Sequence, residues 1–149
     1  MLSRFKFGLF ALLVGAAMFA APLAAFACCP SDGNGDHAAK AGLGQSHPVA
    51  PDLSPDSTWS VYEFERDGVR YVQINDSTGA VRVAVGRIAD TFWVMPIGTD
   101  ADRVSVPGSP KAIPSYSNAR LVYSTKALEV WLHQTSSSDW WTVGPASTR

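Results

Sequence analysis

From Trp59 onward, short runs rich in Val, Ile, Tyr, Phe and Trp are broken at nearly regular intervals by turn residues, and no stretch keeps a helical apolar period for three turns. That pattern excludes a helical bundle and points to an all-β domain. The dipeptide Asp67-Gly68 sharpens the expectation, because a two-residue hairpin turn with both residues at positive φ fixes the pairing of both flanking strands. Arg66 then faces Val69, and Glu65 faces Arg70.

Carrying the register through Asp76-Ser77-Thr78-Gly79 and Ala89-Asp90 gives a four-stranded meander. One face collects Val61, Val72, Ile74, Val81, Val83, Val85, Phe92 and Val94. The other collects Tyr62, Phe64, Tyr71, Ala84, Gly86, Trp93 and Met95, with Trp93 opposite Gly86, where a large ring covers the backbone a glycine leaves bare. A sheet wetted on one side alternates apolar and polar residues, so this second face needs a cover, closure into a barrel, or a ligand.

Asp102 to Val106 and Arg120 to Ser124 read as strands around a Pro-rich connection containing Pro107, Pro110 and Pro114. A final hairpin with Thr135 to Ser138 as its loop pairs Leu132 with Trp141 and Val130 with Val143. Leu128, Val130, Leu132, Trp141 and Val143 then share one face, and Glu129, Trp131, His133, Trp140 and Thr142 share the other. The expected fold is a compact antiparallel β-sandwich or small barrel of about seven strands, built as a meander over residues 59–149.

The N-terminus has a different character. Arg4 and Lys6 precede an uncharged apolar run that ends in Ala25-Phe26-Ala27 before Cys28-Cys29, the pattern of a cleaved export signal over residues 1–27. Residues 28–58 are dominated by Gly, Pro, Ser and Asp, a composition that reads as a disordered tether. Of the twelve cations and thirteen acids in the chain the leader holds two and none, so the remainder carries ten against thirteen, a net charge of −3. A surface of that sign argues against nucleic acid as partner.

Adjacent cysteines cannot close an unstrained disulfide, so Cys28 and Cys29 do not staple the domain, which stands on packing. Three roles fit them: a simple cut after Ala27, lipidation of Cys28, or soft-metal binding by Cys28, Cys29, His37 and His47, whose thiolates and imidazoles suit copper or zinc. Ala25-Phe26-Ala27-Cys28 resembles a bacterial lipobox in part, with Phe26 where that motif prefers a small residue. Asp100 and Asp102 alternate like the start of a calcium loop but lack its glycine and terminal glutamate, and read as a solvated turn.

No nucleophile elbow is present, the cysteines lie at the processing site, and His133 is the only histidine after Trp59, so an enzyme is not expected and no cofactor is implied. The strand carrying Trp140 and Trp141 sends consecutive indoles to opposite faces. With Trp141 inside, Trp140 joins Trp131 and His133 in a group suited to a protein, peptide or glycan partner. The expected protein is a non-enzymatic binding module, periplasmic or lipid-anchored in the envelope of a Gram-negative bacterium, or secreted. The alternatives are a metal-handling protein and a structural lipoprotein held at Cys28.

Overall fold

A computed structural model describes residues 38–147. Eight strands form two four-stranded, mostly antiparallel sheets. Sheet A runs in chain order: β1 (Trp59–Arg66), β2 (Val69–Asp76), β3 (Val81–Ile88) and β4 (Thr91–Val94). Sheet B holds β5 (Val104–Ser105), β6 (Asn118–Ser124), β7 (Glu129–Gln134) and β8 (Asp139–Gly144), in the order β5-β8-β7-β6. A 3-10 turn, Ala101–Arg103, leads into β5.

The expected hairpin registers hold. Asp67 and Gly68 take φ of 54° and 78°, and Arg66 pairs with Val69, Glu65 with Arg70, Gly86 with Trp93, Val130 with Val143 and Leu132 with Trp141. A Cβ on Gly86 would lie 2.5 Å from the Trp93 ring, so only glycine admits the indole against the sheet.

Three expectations change. Val81 leaves the inner face because the register shifts between Ile74 and Asn75, and Val81 pairs with Asn75 outside the core. The meander stops at β4, since β5 lies parallel to β8 rather than beside β6. The composition break at Trp59 also divides what the contacts join.

Those contacts run from residues 39–53 to sheet A. Ala39 donates to the Glu63 carbonyl (2.8 Å) and accepts from the Glu65 amide (2.9 Å), while Leu53 donates to the Val61 carbonyl (2.8 Å). The Asp52 carboxylate accepts from the Val61 amide at 2.9 Å. Together they cap the outer edge of β1, which would otherwise present unpaired backbone groups. A Gly- and Pro-rich composition predicts no core of its own, but it places no bar on a segment satisfying the hydrogen bonds of a sheet built elsewhere.

The core is one cluster drawn from both sheets, including Val61, Val72, Ile74, Val83, Val85 and Phe92 from sheet A and Val130, Leu132, Trp141 and Val143 from sheet B. Trp59 and Trp141 meet edge to face at 5.0 Å between ring centroids and 85° between planes.

Candidate functional site

The sequence pattern places Asp100 in a solvated turn, yet in the fold it is 1% exposed. Its neighbour Gly98 adopts φ +104°, and a Cβ there would meet the Arg82 carbonyl oxygen at 2.4 Å. Glycine therefore lets the chain press against β3, where the Thr99 and Asp100 amides donate to the Val81 and Arg82 carbonyls. The Asp100 carboxylate then accepts from Trp141 Nε1 (2.9 Å) and Arg82 Nε (3.0 Å), and pairs with Arg103 at 2.5 Å. Arg82 also reaches Asp139 at 3.1 Å and lies 5.8 Å over the Trp59 ring. A buried carboxylate with this many charged donors is a structural junction between the sheets.

The outer face of sheet A carries a second buried polar group. Gln73 Oε1 accepts from the Gly44 amide (2.7 Å), and its Nε2 donates to the Gln45 carbonyl (2.9 Å) and to Asn75 Oδ1 (2.8 Å). Asn75 Nδ2 donates in turn to the Ser46 carbonyl at 2.9 Å. Residues 44–46 thus supply the partners that buried amides require. Gln73 and Asn75 are not singled out by the sequence, and Asp100 is, but only as part of a turn; the available signal for the amides is two of them in register beside Tyr71 on a face that otherwise reads as apolar.

The sequence-derived partner face assembles on β7 and β8. His133 pairs across the strands with Trp140, and Trp131 with Thr142; on β6, Ala119 lies beside His133 and Leu121 beside Trp131. Trp131, His133 and Trp140 are half-buried, while the intervening Leu132 and Trp141 point into the core. Each indole is held by its edge: Trp131 Nε1 donates to Glu129 Oε2 (3.1 Å) and Trp140 Nε1 to Ser138 Oγ (3.1 Å).

The Glu129 oxygen also accepts from Ser147 Oγ at 3.1 Å, which fixes the carboxylate that positions Trp131. Ser138 sits in the Thr135–Ser138 loop, whose hydroxyl and backbone bonds around Thr135 hold it in place. His133 Nε2 shares a 3.0 Å hydrogen bond with Thr142 Oγ1, and burial lowers its pKa below the ordinary histidine value, so the neutral ring is favoured. At the β7 start the face opens into a cleft of about 410 Å³ bordered by Leu121, Lys126, Glu129 and Ser147.

Of the residues assigned to a soft metal, Cys28, Cys29 and His37 lie outside the described residues, as does the lipidation candidate Cys28. His47 is exposed and packs on the 76–79 turn, where a Cβ on Gly79 would meet its Cε1 at 2.8 Å. Among the described residues no three His, Cys, Asp or Glu side chains gather as a metal site. Comparison with protein-family models, with curated proteins and with solved structures found no match to the chain.

Proposed function

We propose that the chain is an exported, non-enzymatic β-sandwich module of the cell envelope that binds a protein, peptide or glycan through the outer face of β7 and β8. Residues 1–27 act as the cleaved leader, and Cys28 is the new N-terminus or the point of lipid attachment. The single observation that carries the binding role is the pair of half-buried indoles, Trp131 and Trp140, diagonal to each other across one strand pair with their edges pinned by Glu129 and Ser138. Rings ordered before a partner arrives lose little conformational freedom on binding, which favours affinity from few contacts.

His133 supplies the polar group between them. Its Nε2 is engaged by Thr142, which fixes the ring orientation. The −3 charge outside the leader supports a partner other than nucleic acid.

The test compares the wild-type mature protein with a Trp131→Ala/Trp140→Ala variant in capture from envelope fractions and on arrays of glycans and peptides. Loss of a captured partner by the variant, with its thermal unfolding still cooperative, is the expected result. Identical capture by both proteins would remove this face from the binding role. Intact-mass measurement of the mature chain separates simple cleavage from lipidation at Cys28.

A further inference from the structure

The segment that covers the outer face of sheet A also builds one wall of a cleft. Among the described residues this cleft has a volume of about 410 Å³ and is lined by Leu43 of the covering segment, by Phe64 and Tyr71 of sheet A, and by Met95 just past β4. Phe64 and Tyr71 are direct cross-strand partners, so their side chains stand next to each other on the same face of the sheet. Met95 is held in place by its backbone, its amide donating to the Ala84 carbonyl at 2.9 Å, while its unbranched side chain stays adaptable. Size and apolar lining both match small-molecule sites, which carry a few polar groups at defined points.

Here those polar groups are cations at the rim. Lys40 and Arg66 line the cleft with side chains 76% and 78% exposed. Lys40 Nζ lies 3.7 Å from Glu65 Oε1, but Glu65 is held more closely by Arg70 at 3.0 Å. Arg66 reaches Asp67 through Nε at 3.4 Å. Both distances exceed those of charge-assisted hydrogen bonds, and an ammonium with three donors beside a guanidinium with five keeps capacity for another carboxylate.

We infer that this cleft binds a single-chain amphiphile of the fatty-acid type, its aliphatic tail against Phe64, Tyr71 and Met95 and its carboxylate between Lys40 and Arg66. An apolar lining beside two cations complements a monocarboxylate better than a neutral or cationic amphiphile of the same chain length. This site lies on sheet A and is independent of the indole face of sheet B.

Calorimetric titration of the mature protein with decanoate, decanol and decyltrimethylammonium, each below its micellar range, tests the assignment. Saturable decanoate binding at least tenfold tighter than either other ligand is expected. Lys40→Gln/Arg66→Gln, two changes at exposed positions, should reduce decanoate to the level of decanol, and Met95→Trp should fill the cleft and abolish binding of both. Absent saturation, equal affinity for decanoate and decanol, or unchanged decanoate binding by the charge-neutral variant would overturn the assignment. The Trp131→Ala/Trp140→Ala protein should bind decanoate as wild type does, so this site and the partner face can fail separately.

Discussion

The outer face of sheet A and the outer face of sheet B both lack the regular polar alternation of a solvated sheet, and they differ in what meets them. On sheet A, Gln73 and Asn75 are buried beneath residues 44–46, whose backbone satisfies both amides. On sheet B, Trp131, His133 and Trp140 stay half-buried, and the groups that hold them, Glu129, Ser138 and Thr142, come from the same two strands or their loops. A face that takes its hydrogen bonds from a remote segment is closed by that segment where the two meet, here over Gln73 and Asn75. One that satisfies its polar atoms locally can keep its ring surfaces for a partner.

The comparison breaks first at Gln73. Replacing it with Ala leaves the Gly44 amide and Asn75 Oδ1 without their partners, and at about 1–3 kcal/mol for each group this should cost about 2–6 kcal/mol in denaturant unfolding. A loss below about 0.5 kcal/mol would mean that residues 44–46 do not close the face. Trp131→Ala, by contrast, removes a ring that is only half-buried and should cost less than the 3–5 kcal/mol of a core aromatic.

A smaller effect is expected at Gly42. It adopts φ +110°, and a Cβ there would lie 2.8 Å from Pro48 Cβ and 3.3 Å from Phe64 Cε1. Gly42→Ala should destabilise by about 1–3 kcal/mol, the range for a residue held in a sparsely populated backbone region, and should increase hydrogen exchange at the Ala39 and Gly44 amides before it affects β7 or β8. Equal acceleration in both sheets would show that the cover and the core open as one unit.

The smallest effect concerns pH and belongs to sheet B. Burial disfavours the His133 imidazolium, so the folded chain gives up this proton at lower pH than the unfolded chain. The contribution is complete above the ordinary histidine value of about 6.5 and is lost as pH falls from there through the folded value. Unfolding midpoints measured from pH 7.5 to 5 should therefore decline in the wild type and decline less in His133→Gln. Parallel curves would assign the acid sensitivity to other groups.

Much of the fold was legible because its signals are local. Asp67-Gly68 sets a turn, the turn sets a register, and a period of two then assigns each side chain to a face, so Leu132 against Trp141 and Trp93 over Gly86 follow from neighbouring residues alone. The candidate partner face came from the same arithmetic applied to Trp140 and Trp141. Val81 escaped because a one-residue bulge, invisible in the pattern, interrupts the register at Asn75. The role of Asp100 escaped because its donors come from positions 82, 103 and 141, which meet only once both sheets are assembled.

By itself, the sequence determined the all-β class, the hairpin registers, the division of residues between the inner faces apart from Val81, and the expectation that Cys28 and Cys29 do not staple the domain. Tertiary structure alone decided that β5 runs parallel to β8, that Asp100 joins the sheets through Trp141, and that residues 39–53 bond to the edge of sheet A. The physical reason is range. Alternation and turn chemistry act between neighbours, whereas a buried amide such as Gln73 accepts whichever backbone the whole fold brings within 3 Å, here from residues nearly thirty positions away.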